Sequence, residues 1–346
     1  MSVTILRGDC RDVLRTLPDE SVHCVVTSPP YFGLRDYGVA GQIGLEPTPD
    51  QFTAELVRVF AALRPALRKD GTVWLNLGDT YANTRGGKEP GLYDDKRNGA
   101  ATWQGKVSEL PPGLKIKDLM GIPWRVAFAL QADGWYLRQD IIWSKPNPMP
   151  ESVRDRCTKA HEYIFLLSKS ERYYYDAEAI KESAVAEDLG DFDGGPQRLA
   201  NGSNANEGRN YRKPRSAGNK SHKYVEAYNR SETEEHRTKA GLMAVADVPW
   251  LKRNKRSVWE VATSPYSEAH FATFPPALIE PCILAGCPKG GTVLDPFGSA
   301  GTTALVADRH GRNAILIELN EAYAEMAERR VRNEAGMFAD VTGVLA

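Results

Sequence analysis

Short apolar runs alternate with amphipathic stretches along most of the chain. Val3–Leu6 reads as a strand ending at Gly8-Asp9-Cys10, and Arg11–Leu17 as a helix closed by Pro18. The run Val22–Thr27 is mostly β-branched and apolar, the pattern of a strand buried on both faces of a parallel sheet. Phe52, Leu56, Val59, Phe60 and Leu63 fall on one side of a helix predicted over Asp50–Leu67. Asp70-Gly71 predicts a turn into a strand, Thr72–Leu77, and a loop rich in Gly, Lys and Asp follows over 82–117. A helix at Ile122–Asp133 and strands at Trp135–Trp143 and Glu162–Ser168 complete the first half. Regular patterning resumes with a helix at Pro275–Gly286, a strand at Thr292–Leu294, a helix at Thr302–His310, a strand at Asn313–Glu318 and a helix at Glu321–Asn333. Strands alternating with helices predict an α/β fold with a doubly wound, mostly parallel, Rossmann-like sheet.

Composition narrows the class. The 346 residues suit one large α/β domain with an insert, or two modest domains. A charged fraction of 26% with 9% aromatics excludes global disorder, and no apolar run reaches the length of a membrane span. The five cysteines contain no C-x-x-C pair, so neither a disulfide framework nor a zinc site is expected, and a reducing cytosol is the default setting. The net charge of −1 hides an asymmetry: residues 195–256 hold 14 Lys/Arg and 6 Asp/Glu, a net of +8, which leaves −9 for the rest. Arg209, Arg212, Lys213, Arg215, Lys220 and Lys223 lie there among Asn, Gly, Ser and tyrosines. Such a segment fits a phosphate-contacting surface, and equally a solvated loop kept soluble by its charge.

Two motifs carry chemistry. Val293–Glu318 reads as strand, glycine turn, helix, strand and acidic residue, a unit that binds an adenosine-type cofactor. Gly298 and Gly301 permit close backbone approach, the helix N-terminus offers free N–H groups, and Glu318 can accept from both ribose hydroxyls. Asp295 is placed to hold a cationic amino group of the cofactor. The turn is not G-x-G-x-x-G and no Walker lysine follows, which demotes a dinucleotide and ATP and leaves a plain tight turn as the alternative.

The second motif, Thr27-Ser28-Pro29-Pro30-Tyr31, leaves the end of a buried strand, where open α/β sheets bind ligands. Two prolines stiffen the turn, so the Ser28 hydroxyl and the Pro29 carbonyl can face one point beside the Tyr31 ring. Two acceptors and an aromatic face, without acid, metal or thiol, suit a planar amino group conjugated to a heteroaromatic ring. Accepting its hydrogens drives the nitrogen towards tetrahedral geometry and localises the lone pair on an electrophile. Stacking holds the ring, as flipped bases are held.

These motifs resemble those of the S-adenosylmethionine-dependent DNA amino-methyltransferases that modify adenine N6 or cytosine N4. The order of the motifs is similar to the beta group, a circularly permuted Rossmann-like methyltransferase fold, of solitary, prophage type. Ser28–Tyr31 matches the catalytic tetrad, and Asp295-Pro296-Phe297-Gly298-Ser299-Ala300-Gly301-Thr302 the cofactor loop. The resemblance implies that Asp9, with Cys10, contacts the cofactor's adenine, that Glu318 and Asn320 lie at its ribose, and that Thr27 lines its pocket. It also implies that Phe271, Thr273 and Phe274, within His270–Pro275, line the methionine side, while Trp143-Ser144-Lys145 and His161-Glu162-Tyr163 fill intervening positions. On this basis residues 1–171 and 257–346 form the catalytic domain and 172–256 the recognition region for double-stranded DNA. Dimers are common in the group. Adenine N6 is ranked narrowly ahead of cytosine N4, because serine tetrads also occur in solitary adenine enzymes. Rival readings are an RNA or protein-glutamine methyltransferase, in which the motifs usually come in the opposite order, and an inactive DNA-binding protein.

Other features are decoys. Thr263-Ser264-Pro265-Tyr266 has one proline fewer than the tetrad, and Pro281-Cys282 mimics a C5-cytosine nucleophile but falls within a predicted helix, so Cys282 is expected in the core. His23 and His161 are expected to be structural. The absence of H-x-E with P-C-x-x-C excludes deamination.

Overall fold

The computed structural model describes residues 1–82, 110, 113–183, 252–264, 273–334 and 340–345. The strands are β1 (Ser2–Arg7), β2 (Val22–Thr27), β3 (Leu67–Leu77), β4 (Tyr136–Ser144), β5 (His161–Ser168), β6 (Glu182–Ser183), β7 (Lys252–Arg253), β8 (Val258–Glu260), β9 (Thr292–Asp295), β10 (Asn313–Glu318) and β11 (Asp340–Leu345). The helices are α1 (Cys10–Val13), α2 (Pro49–Leu63), α3 (Ile122–Ala132), α4 (Pro276–Gly286), α5 (Thr302–Arg309) and α6 (Glu321–Glu334). Among the described residues, nine strands form one sheet in the order β11-β1-β10-β9-β2-β3-β5-β4-β8. Of these nine, β5 alone runs against the others, pairing antiparallel with both β3 and β4.

The sheet separates two apolar layers. Cys24 and Val26 of β2 point to one layer, packed under Leu278, Ile279 and Ile283 of α4 and Ala304 and Ala307 of α5. Val22 and Val25 point to the other, under Val13 of α1, Phe52, Leu56 and Phe60 of α2, and Val126 and Leu130 of α3. A strand covered on both sides has no polar face to show, which is why β2 reads as an unbroken apolar run. Helix α2 begins where the Thr48 hydroxyl accepts from Gln51 N–H at 3.2 Å and Pro49 supplies a preset φ. Each of its fully buried aromatic or leucine side chains contributes about 1.5–3 kcal/mol.

The topology fixes where a ligand can bind. From β2 the chain proceeds to β3 on one side, and from β9 to β10 on the other, while β2 and β9 are themselves parallel neighbours. Their C-terminal ends therefore open a crevice at the topological switch point. The first five strands precede β9 and β10 in the chain, which is the permuted order expected.

Several elements differ from expectation. β3 starts at Leu67, because Asp70-Gly71 makes an irregularity within the strand: Val22 pairs with Leu67 and Cys24 already with Thr72. The stretch Arg11–Leu17 holds only one α-helical turn and a 3₁₀ turn, Leu14–Thr16. Strands β8 and β11 were not expected; they form the two edges of the sheet. By its internal contacts the chain divides into one unit of Met1–Ile180 with Arg256–Ala346 and another of Lys181–Lys255. In the second, β6 pairs antiparallel with β7, and Arg253 Nε donates to Glu182 Oε1 at 3.0 Å. Among the described residues no helix is long and apolar enough to cross a membrane.

Candidate active site

β2 ends at Thr27 and β9 at Asp295, and the two side chains are joined. Thr27 Oγ1 donates to Asp295 Oδ1 at 2.6 Å, while Thr303 Oγ1 donates to Oδ2 at 2.7 Å and Phe297 N–H to Oδ1 at 3.1 Å. The bond ties together positions 268 residues apart. One residue beyond Thr27 the tetrad begins; one residue beyond Asp295 the glycine loop begins. Asp295 is 2% exposed, with both oxygens engaged within the protein. Both oxygens therefore already hold partners within the protein, and Asp295 is the clasp between the two strands. Burial pushes its pKa up to about 7, although the two hydroxyls and the Phe297 N–H pull the other way.

The glycine loop is shaped mainly by backbone. Gly301 caps α5 at φ 78°, with no side-chain cap, so the first N–H groups of α5 lie next to a left-handed turn. Glu318, at the end of β10, accepts from Ser299 N–H through Oε2 and from Asn320 N–H through Oε1, both at 2.8 Å. Burial pushes Glu318 up, while those N–H groups oppose the shift. The half-buried carboxylate thus stands at the loop's open edge. Cys10 lies beside it in the apolar layer, its thiol pushed up to about 12 by burial. Pro296 is buried, and Phe297 and Ser299 are half-buried on the same loop.

Several of the residues expected at the cofactor also hold partners within the chain. Asp9 caps α1 through Arg11 N–H at 2.8 Å and also accepts from the Arg11 guanidinium, which reaches on to Glu55 and the Gly41 carbonyl. Burial alone would raise Asp9, but Arg11 holds it below the ordinary carboxylate value. Asn320 caps α6, accepting from Ala322 N–H at 3.0 Å and Tyr323 N–H at 3.4 Å. Thr302 is buried under Arg330, whose Nη1 donates to the Thr302 hydroxyl and to the Ala300 carbonyl. Thr273 and Phe274 are half-buried ahead of α4, and Phe274 packs on the core. Phe271, the DNA-contact candidates Arg209, Arg212, Lys213, Arg215, Lys220 and Lys223, and Pro265-Tyr266 of the decoy lie outside the described residues. Cys282 is a core residue as expected, and His23 accepts from Thr292 N–H at 3.1 Å, a structural role.

Around the tetrad, Pro29 is buried, whereas Ser28, Pro30 and Tyr31 are half-buried. The Tyr31 hydroxyl donates to Glu162 Oε2 at 2.6 Å and lies 3.2 Å from Asn76 Oδ1. Asn76 Nδ2 in turn donates to Glu162 Oε2 and to the Tyr163 carbonyl, and Lys145 Nζ pairs with Glu162 Oε1 while lying 4.2 Å from the centre of the Trp143 ring. Gly78 presses against the ring so closely that a Cβ there would overlap it. Burial, and next the Glu162 charge, push the phenol well above its ordinary pKa, so it stays a donor. These contacts fix the ring's plane from the far side.

A model of the DNA methylase family of N6/N4 amino-methyltransferases matches residues 22–329. The chain belongs to that family. The methylase is 43% identical over 332 residues to the Type II methyltransferase M.Cfr9I of Citrobacter freundii, covering 96% of this chain and 88% of that protein. It is 44% identical over 333 residues to the Type II methyltransferase M.SmaI of Serratia marcescens, covering 95% and 91%. Among solved structures, the PvuII DNA methyltransferase (cytosine-N4-specific) superposes at a TM-score of 0.57 with 16% identity, covering 94% of this chain and 85% of that one. The putative DNA modification methylase TTHA0409 of Thermus thermophilus, in complex with S-adenosyl-L-methionine, superposes at 0.55 with 21% identity, covering 99% of both. At these identities the superpositions show a shared fold.

S-adenosylmethionine is the methylase's cofactor, and the loop fits it. The half-buried Glu318 carboxylate, the uncapped start of α5 and the Gly301 turn are the groups that would hold its adenosine part. Sequence reading missed Asn76, Lys159 and Arg330 and gave Lys145 and Glu162 no role. A lone Asn, Glu or Lys in a strand or loop carries no pattern; only the antiparallel return of β5 beside β3 brings Asn76, Tyr163 and Glu162 together.

Proposed function

We propose that the methylase transfers a methyl group to the exocyclic amino nitrogen of a base flipped out of duplex DNA, with cytosine N4 as the target. The observation that carries the reading is the Thr27–Asp295 hydrogen bond: it sets the residues that accept amino hydrogens beside the loop that cradles the cofactor. Bound S-adenosylmethionine supplies an electrophilic methyl group. The protein contributes position and electrostatics. Ser28 Oγ and the Pro29 carbonyl accept the two amino hydrogens and turn the lone pair out of the ring, and Tyr31 stacks on the base. A base still paired in the helix hides its amino nitrogen, so it must leave the stack first. The basic segment 195–256 grips phosphates and reads base edges in the major groove.

Two observations favour cytosine. The tetrad begins with serine where aspartate is commoner with adenine, and the PvuII enzyme, with a similar fold, is described as cytosine-N4-specific. Adenine N6, ranked first on the resemblance to solitary enzymes, moves to second because the relatives spanning this chain are named Type II. Methyl transfer to unmethylated DNA, digestion to nucleosides and mass spectrometry decide the matter. N4-methylcytosine is expected. N6-methyladenine would keep the mechanism and replace the base. Neither product, with cofactor bound, would move an RNA or protein-glutamine substrate to first place.

A further inference from the structure

We propose that Lys159 is a base-reading residue, its ammonium donating to the acceptor atoms on the Watson–Crick edge of the base stacked on Tyr31. The assignment rests on Tyr31 being the platform for a flipped base.

Lys159 sits in the loop between β4 and β5, two residues before the start of β5. Its Nζ is shielded from solvent and has no hydrogen-bond partner among the described residues. An ammonium carries three N–H donors, and leaving them all unmet away from water is costly. Burial accordingly lowers the pKa of this lysine, against the pull of Asp79, Glu162 and Glu151. Those carboxylates are engaged elsewhere. Asp79 Oδ1 accepts from Thr80 and Ile122 N–H, Glu162 from Tyr31, Asn76 and Lys145, and Glu151 from Arg156 and the Lys159 backbone N–H. They balance the charge without completing the hydrogen bonds.

The location says what completes them. Asp79 follows Gly78, which presses on the Tyr31 ring, and Glu162 holds the Tyr31 hydroxyl. Lys159 is followed by Ala160, whose carbonyl accepts from Lys145 N–H, and it feels the charges of Asp79 and Glu162, so the ammonium belongs to the charged cluster at this end of β3, β4 and β5, the end at which the Tyr31 hydroxyl is held. Lys145, Lys159 and Arg156 already face Glu162, Asp79 and Glu151, three charges against three. A phosphate would leave the cluster net negative, whereas a neutral acceptor leaves it balanced. A nucleobase edge supplies such acceptors next to the amino group: cytosine offers N3 and O2, adenine only N1. Lys159 therefore also favours the pyrimidine.

The test uses the full chain on a duplex containing the recognition site mapped from its own methylation products, and on the same duplex with an abasic target. Lys159→Met is expected to lower kcat/KM and affinity for the intact duplex roughly 10- to 100-fold, the range for a hydrogen bond from a charged donor. Cofactor affinity and thermal stability are retained, since losing an unpaired buried charge does not destabilise a fold. On the abasic duplex the variant and the wild type bind equally, and Lys159→Arg recovers most of the loss. If Lys159→Met fails to fold, Lys159→Gln is read in its place. Unchanged kcat/KM would make the lysine merely structural, and an equal loss on abasic DNA would make it a phosphate contact; either overturns the proposal. A wild type that binds cofactor yet methylates no DNA base would instead remove the platform reading itself.

Discussion

The two motifs that meet at the crevice are built differently. The cofactor loop is made mostly of backbone turns and contacts within β9–β10, with the Thr27–Asp295 bond as its long-range tie: Asp295 also reaches Phe297 N–H and Thr303, Gly301 turns the chain, and Glu318 binds the N–H of Ser299 and of its near neighbour Asn320. The target side is made of side chains from distant segments, with Tyr31, Asn76, Lys145, Lys159 and Glu162 converging only once β5 has paired between β3 and β4. A site of the first kind is rigid by itself and tolerates change around it. A site of the second kind depends on each member, because each side chain is held by another.

The largest effect that follows is at Tyr31. Tyr31→Ala removes the stacking face and empties the space in front of Gly78. A loss of about 5- to 150-fold in kcat/KM is expected from stacking alone, with cofactor affinity nearly intact. Tyr31→Phe keeps the face but frees the ring from Glu162 and Asn76, and about a 10-fold loss is expected. Steady-state kinetics beside calorimetric titration of the cofactor check both; full turnover by Tyr31→Ala would sink the stacking role. If Tyr31→Phe equals the wild type, the Glu162 network is not what positions the ring.

This contrast also explains what could be read beforehand. Strand β2 coincides with the predicted Val22–Thr27, and β10 with Asn313–Glu318, because burial on both faces leaves uninterrupted apolar runs. The glycine loop was legible as a local word of eight residues, Asp295–Thr302. The internal contacts of Asp295, Asp9 and Asn320 were not, because a carboxylate or amide at a strand end looks the same whether it faces a ligand, caps its own chain or does both. Glu162 was placed in a family segment without a role, and Lys159 was not singled out, because their partners are set by sheet order rather than by any local pattern.

The clasp can be separated from the cofactor site by pH. The Asp295 carboxyl has a folded pKa near 7 against an unfolded value near 3.8, so the folded state binds the proton more tightly. Its contribution is fully present below the unfolded value and is lost as pH rises towards 7, by on the order of 4 kcal/mol. Asp295→Asn cannot titrate. The stability difference between wild type and variant, from urea unfolding at a series of pH values, should move in the wild type's favour as pH falls from 7 to 4. A constant difference would mean that the buried acid is not protonated in this range.

Gly301 tests how far the loop depends on backbone alone. At φ 78° a side chain is strained, and a Cβ would stand 3.2 Å from Ala327 and Val331. Gly301→Ala should cost roughly 1–2 kcal/mol of stability and weaken cofactor binding, because the start of α5 shifts with the turn. Unchanged cofactor affinity in that variant would show that the turn is not part of the cradle.

The smallest effect decides between two roles for one residue. Asn320 was expected at the ribose, yet its side chain accepts from Ala322 and Tyr323 N–H at the head of α6, while its own N–H serves Glu318. Asn320→Ala removes the cap and keeps the N–H. A loss of about 1 kcal/mol is expected, seen as a fall of roughly 2–4 °C in Tm for a chain of this size or somewhat less, with cofactor affinity unchanged. A weakened cofactor Kd at constant Tm would reverse the assignment and make the Asn320 side chain part of the cradle, bringing it from the scaffold of this region into its chemistry.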